Sequence, residues 1–450
     1  MATAAMNLQV KTSNRQILSI ALPIAAAIVV PQINFITNNI FLSGLGEKAL
    51  GIAGITGVYY LIFAVIGIGL NNGLQALISR RAGENKIDEI GNLFMHGIWV
   101  ALGFAFCGIL ITWFIAPLIL TFSLRDEGNI RTAISFLNIR ILGLPLLFLY
   151  QMRNALLVGT NNSKLLVWGT ASEAIINVFF DYTLIYGKWG MPKLGFNGAA
   201  YASIIAEAAG LLVIFIVIHF KGINKQLHLF KNYSYNWVTT RLILTQSTPL
   251  ILQHAISIIT WEFFYILIEH HGDRALAISN TMRNMFGFFG CFTWAFASTT
   301  NTMVSNIIGQ GMQDKVHGVV WKIIRWSSGF SFVVFVLLNL FPEMVLGIYN
   351  QGPIFVQEAI PVLRIVSLAM MFMSVSTVWM NAVTGSGNSK MTLIAEIIAI
   401  AAYSIYVYLV LEVNNMSIVW GWASEIIYWI SILVPCYWFM HTSRWKNKKI

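Results

Sequence analysis

Long apolar runs separated by short polar turns fill almost the whole chain of 450 residues. A helix of about 20 apolar residues spans the ~30 Å hydrocarbon core of a bilayer. On that measure the pattern predicts twelve spanning helices, over roughly 16–43, 50–78, 92–121, 131–158, 164–187, 196–220, 242–270, 276–308, 317–348, 358–383, 391–412 and 416–440. Several exceed what the bilayer requires, so tilt or extension beyond it is expected. The polar stretch ahead of Arg15 shows no cleavable signal pattern.

A second regularity lies in the turn and breaker positions, which recur in the second half of the chain at one fixed offset. Pro23 returns as Pro249, and Gly46-Glu47-Lys48-Ala49-Leu50 returns as Gly272-Asp273-Arg274-Ala275-Leu276. Ser79, Gly83 and Asp88 return as Ser305, Gly309 and Asp314. Gly159-Thr160-Asn161-Asn162-Ser163-Lys164 returns as Gly385-Ser386-Gly387-Asn388-Ser389-Lys390. A two-fold repeat of spanning segments is the sequence mark of a transporter that rocks one half against the other.

Composition agrees with the spans. The chain is 57% hydrophobic and only 10% charged, with mean hydropathy +0.71, whereas soluble domains carry about 25% charge. The expected fold class is therefore an all-α integral membrane protein, with twelve transmembrane helices in two pseudo-symmetric six-helix lobes. With the N-terminus inside, 18 Lys and Arg fall in cytoplasmic segments and seven in outer ones. This bias places both termini in the cytoplasm. It also explains the net charge of +10 without a nucleic-acid partner. Six helices per half is an even number, so the halves share orientation about an axis along the membrane normal. The expected divisions are an N-terminal lobe over 1–220, a basic cytoplasmic linker over 221–240 and a C-terminal lobe over 241–450. The linker reads either as an amphipathic surface helix or as a plain connector. Cys107, Cys291 and Cys436 stand alone in apolar segments and read as packed thiols. No nucleophile–base set, metal motif or nucleotide loop argues for an enzyme.

Ionisable groups inside hydrocarbon are expensive, so each is a functional candidate. On the fifth span Glu173, Asn177 and Asp181 are spaced i, i+4, i+8 and stack along one face. On the sixth, Ser203 and Glu207 repeat the i, i+4 spacing. Their hard oxygens suit a small cation, and a carboxylate in low dielectric can hold and release a proton. In the second half Glu262 lies mid-span, beyond Pro249 on the same run, and Glu396 and Glu425 are further intramembrane carboxylates. Against these readings stand helix capping for Asp181 and interhelical hydrogen bonding for the rest. His254 reads as a hydrogen-bonded helix residue. Pro23 and Pro31 interrupt the first span, and a kink there is either static or a gate.

Several stretches together resemble the multidrug and toxic compound extrusion (MATE) transporters: ALPIAAAIVVPQINFITNNIFLSGLGEKALG, GIGLNNGLQALISRRAGENK, QMRNALLVGTNNSK, NVFFDYTLIYG and LGFNGAAYAS. The resemblance runs from about residue 16 to 440. It implies two six-helix lobes facing a central cavity, and export of organic, often cationic compounds driven by Na⁺ or H⁺ entry. It implies no other cofactor. The partners expected are small organic molecules and the bilayer, and the protein is expected to act as a monomer in a bacterial inner membrane.

The resemblance also implies an ion site at Asn177 and Asp181, where Na⁺ would bind, with Ser203 as a hydroxyl ligand. The family's first-helix Asp is Asn38 in this chain, with Asn34 one turn earlier. One fixed negative charge is thus missing, and Glu207 is expected to restore it. Glu262 matches the second position of a glutamate pair used by some branches, and the first is Ser257 here. The competing expectation is a lipid-linked saccharide flippase of the same wider superfamily, whose basic cavity would draw on Arg140, Arg153 and Arg283.

Overall fold

The computed structural model describes residues 8–123, 126–230, 234–446, 448 and 450, with the side chains of Phe35, Glu47, Leu50 and Ser123 not included. Twelve long helices account for nearly all of these described residues. They are α1 (Asn14–Ser43), α2 (Glu47–Gly83), α3 (Ile87–Ser123), α4 (Glu127–Gly159), α5 (Leu166–Tyr186), α6 (Phe196–Phe220), α7 (Trp237–Glu269), α8 (Asp273–Gly309), α9 (Val316–Leu340), α10 (Pro353–Gly385), α11 (Ser389–Val413) and α12 (Ile418–His441). Ten are long and apolar enough to cross a membrane. The other two are α5, which carries Glu173 and Asp181, and α8, which is rich in Ser, Thr and Asn. The hydroxyls of α8 turn back on their own helix: Thr299 Oγ1 donates to the Ala295 carbonyl and Thr300 Oγ1 to that of Phe296, both at 2.8 Å.

The sequence repeat reappears in backbone dihedrals. Gly46 (φ 104°) and Gly272 (φ 94°) precede α2 and α8. Asn85 (φ 58°) pairs with Gly311 (φ 77°), and Asn161 (φ 62°) with Gly387 (φ 88°). Only Gly, and Asn less easily, enters this left-handed region without strain, so turn chemistry kept the spacing legible.

The helices form two compact units, Ala26–Ser247 and Gln9–Ala25 with Thr248–Ile450. These are not the divisions expected from sequence. The start of α1 belongs to the second unit: the Val10 amide donates to Asn306 Oδ1 at 3.1 Å, and Lys322 Nζ to the Thr12 carbonyl at 2.9 Å. The linker and the first three turns of α7 belong to the first unit. Of the linker, positions 231–233 lie outside the described residues. The rest makes one helical turn at Ile223–Gln226 and buries Ile223, Leu227 and Leu229. His228 Nδ1 meets Asp88, and the Asn236 amide donates to His96 Nε2 at 2.9 Å. Burying three aliphatic side chains favours this docking by about 1.5–3 kcal/mol each.

In the first unit one end of the bundle is closed by Leu42, Ile52, Leu120, Leu137, Ile185 and Phe196, drawn from all six helices. Cys291 and Cys436 are buried thiols, whereas Cys107, expected to be packed, is exposed on α3. α1 is helical through Pro23 and Pro31. Pro23 is half-buried and Pro31 exposed.

Candidate functional site

The first unit holds four charged side chains where α4, α5 and α6 meet. α4 is interrupted by a tight turn at Ile141–Gly143, with Pro145 at the start of the next stretch. Arg140 immediately precedes that break. Its guanidinium makes a two-point pair with Glu207 of α6, Nη1 to Oε2 at 3.1 Å and Nη2 to Oε1 at 2.5 Å. Tyr60 of α2 covers the guanidinium with its ring centroid at 4.1 Å. Such a fork is among the strongest polar contacts available, and it neutralises both members. The charge of Glu207, expected to replace the one missing at Asn38, is therefore answered by Arg140.

Arg153 lies further along α4 and is only 3% exposed. It stacks on Tyr150 at 3.9 Å and donates from Nη2 to Asn154 Oδ1 at 2.8 Å. Its Nε and Nη1 have no hydrogen-bond partner. Glu173 of α5 likewise has a buried Oε2 without one. Glycines make room for the network: a Cβ on Gly143 would stand 2.5 Å from Arg140 Nη1, and one on Gly169 would stand 2.5 Å from Arg153 Nη1.

Two turns beyond Glu173, Asp181 is completely buried, and neither of its carboxylate oxygens has a hydrogen-bond partner. Asn177, one turn before it, is also buried. The end of α1 lies alongside: Tyr186 donates to the Phe41 carbonyl at 2.6 Å, and the Phe41 and Tyr182 rings are 6.3 Å apart. Asn38 precedes Phe41 by three residues, and Asp181 precedes Tyr186 by five. Asn34 and Asn38 each bury an Oδ1 with no partner. Ser203 is half-buried on α6. The sequence-expected residues thus fall into two groups, the charge network at Glu173 and Glu207 and the bare oxygens at Asp181, Asn34 and Asn38.

In the second unit Glu262 is exposed. The interior carboxylates are Glu396, which accepts from Tyr428 Oη at 2.5 Å and Gln253 Nε2 at 3.3 Å, and Glu425, which accepts from Trp261 Nε1 at 3.1 Å. Arg283 is exposed, with its guanidinium 5.1 Å from the Tyr265 ring centroid. Sequence reasoning noted Arg140 and Arg153 only as cavity cations and missed their place beside the glutamates. The pairing of Arg140 with Glu207 joins two separate helices, which no helical periodicity reveals. The available signal was the matching of Arg140 and Arg153 by Glu173 and Glu207 on the fourth to sixth spans.

Two repeated six-helix units with a buried carboxylate site in the first define a polytopic membrane transporter, not an enzyme. The profile of the MatE family matches residues 23–183 and again 249–410. The two matches begin at positions 23 and 249, the same offset that Pro23 and Pro249 set in the turn repeat. The chain belongs to the MATE family. It is 23% identical over 398 residues to a probable multidrug resistance protein NorM of Thermotoga maritima, covering 87% of this chain and 84% of that one. Its fold matches that of a MATE transporter solved in complex with MaL6, with TM-score 0.89, 16% identity and full coverage of both chains. It also matches the outward-facing conformation of a multidrug resistance MATE family transporter, with TM-score 0.89, 17% identity and coverage of 100% and 99%.

Proposed function

We propose that this chain is a secondary active exporter of organic, drug-like compounds, cations among them, driven by entry of Na⁺ or H⁺. It works by alternating access of its two lobes, as a monomer in a bacterial inner membrane with both termini in the cytoplasm. Asp181 carries the reading. A fully buried carboxylate with two unpartnered oxygens is unfavourable unless a cation or proton joins it. Asn177, on the same helix, supplies the amide oxygen such an ion requires, and Asn38 and Ser203 complete the set by resemblance. Ion release exposes the unfavourable charge and so changes which conformation has the lower free energy. The NorM relatives support the drug-like substrate class. The flippase reading draws little support from Arg140, which Glu207 neutralises, or from Arg153, which is buried against Tyr150, and rests on Arg283, the exposed one of its three arginines.

The test is uptake of a fluorescent organic cation such as ethidium into proteoliposomes, with Na⁺ and pH gradients imposed separately. Transport should follow one of the two gradients and lose that dependence in Asp181→Asn. Transport indifferent to both gradients would overturn the reading.

A further inference from the structure

The charge network contains one satisfied pair and one unsatisfied pair. Arg140 and Glu207 answer each other in full. Arg153 and Glu173 do not touch, although each leaves polar atoms without hydrogen bonds in the interior. They stand on either side of a close helix contact. A Cβ on Gly169 would lie 2.5 Å from Arg153 Nη1 and 3.5 Å from the Gly210 carbonyl. A Cβ on Gly210 would lie 3.1 Å from the Gly169 carbonyl and 3.4 Å from Glu173 Oε2. The two bare groups are therefore separated by little more than a glycine–glycine crossing, and no side chain on either glycine blocks the path between them. Arg153 is held back by contacts that are easy to replace, a neighbouring amide oxygen and a stacked ring. An Arg side chain has the length and rotamer freedom to leave both.

We infer that Glu173 is a second carboxylate that takes up the coupling ion, and that Arg153, drawn back in this structure, is its built-in counter-cation, which pairs with Glu173 when the ion departs and so helps to expel it. This rests on the reading of the chain as an ion-coupled exporter. A buried carboxylate stripped of its ion is unstable, and a guanidinium already desolvated beside it offers a replacement without a second desolvation step. Glu173 would then alternate between an ion-bound state, with Arg153 on Tyr150 where it lies in this structure, and an ion-free state paired to Arg153. The groups that share this interior are Arg140, Arg153 and Tyr150 of α4, Tyr60 of α2 and Glu207 of α6.

The experiment compares wild type, Arg153→Gln, Arg153→Lys, Glu173→Gln and the double variant Arg153→Gln/Glu173→Gln in proteoliposomes, measuring ethidium transport against pH and against Na⁺ concentration. Removing the competing cation should let the coupling ion bind about tenfold more tightly or more, the effect of one nearby opposite charge, and slow turnover. Arg153→Lys should keep the wild-type ion dependence. The double variant should show the same ion dependence as Glu173→Gln alone, because Arg153 acts only through that carboxylate. A folded Arg153→Gln protein with the wild-type ion dependence would overturn the inference. Should Arg153→Gln fail to fold, a double variant whose ion dependence differs from that of Glu173→Gln overturns it instead. If the wild type itself follows neither gradient, the exporter reading fails first, which separates the two outcomes.

Discussion

The two units share a scaffold and differ in what they bury. At the offset that carries Pro23 to Pro249, Arg140 becomes Val366, Arg153 becomes Trp379 and Glu173 becomes Ala399, all three buried. Where the repeat shortens slightly towards its end, Ser203 and Glu207 become Ser424 and Tyr428. Every member of the charge network is therefore neutral in the second copy. The same holds for the candidate ion site, where Asn177 and Asp181 become Tyr403 and Val407. Carboxylates do occur inside the second unit, but uncharged donors satisfy them: a tyrosine and an amide for Glu396, an indole for Glu425. The scaffold therefore packs without an arginine–glutamate network in its second copy.

Breaking the network should give the largest effect. Arg140→Val installs the residue of the second copy and leaves Glu207 buried without its partner. The expected loss is about 3–5 kcal/mol, the usual result of orphaning one member of a buried pair. Adding Glu207→Tyr, again the second copy's residue, should recover most of it, because a buried pair replaced as a unit by well-packed neutral groups is often neutral. Thermal unfolding in detergent micelles reads both steps. A double variant as unstable as the single would mean that the first unit has come to need the pair.

A smaller effect should appear where the copies agree. Gly159 closes the end of α4 against α2, and a Cβ there would meet Ile78 Cγ2 at 2.8 Å and the Gln75 carbonyl at 3.3 Å. Its repeat mate Gly385 closes α10 against α8, and a Cβ would stand 2.5 Å from the carbonyl of Asn301, the repeat mate of Gln75. Replacement by Ala at either site should cost about 1–3 kcal/mol by overpacking. Gly385→Ala should be the worse, because a backbone oxygen cannot turn aside as an isoleucine methyl can. The same unfolding assay ranks the two.

This contrast also explains what could be read from the chain alone. The spans were legible because hydrocarbon demands apolar length, and the repeat because Gly46, Gly272, Asn161 and Gly387 hold backbone angles that few residues tolerate. Asn177 and Asp181 were legible because i, i+4 spacing on one helix is a local signal. The Arg140–Glu207 pair was not, since it depends on how α4 lies against α6, and Arg153 fits where it does only because Gly169 of another helix carries no side chain. The unit boundary was missed for a similar reason. Gln9–Ala25 runs into α1 in sequence, and its membership in the second unit is fixed by bonds to Asn306 and Lys322, far along the chain.

The least disruptive change is also the most discriminating. Glu396→Gln keeps the shape of a side chain whose partners are neutral. Tyr428 can still donate to the remaining amide oxygen, and the new amide group can face Gln253 once that side chain flips to present its own oxygen. The expected cost is about 1 kcal/mol, the scale of one ordinary hydrogen bond, and the ion dependence of transport should not move. Glu173→Gln is the same isosteric change on the other copy, yet it leaves Arg153 and the Arg140–Glu207 pair with an unbalanced positive charge. Its signature should be altered ion dependence in the ethidium assay rather than lost stability alone. If Glu396→Gln shifted the ion dependence as much as Glu173→Gln, a satisfied carboxylate would be taking part in coupling. The division between an ionic first unit and a neutral second one would then not be the division between engine and scaffold.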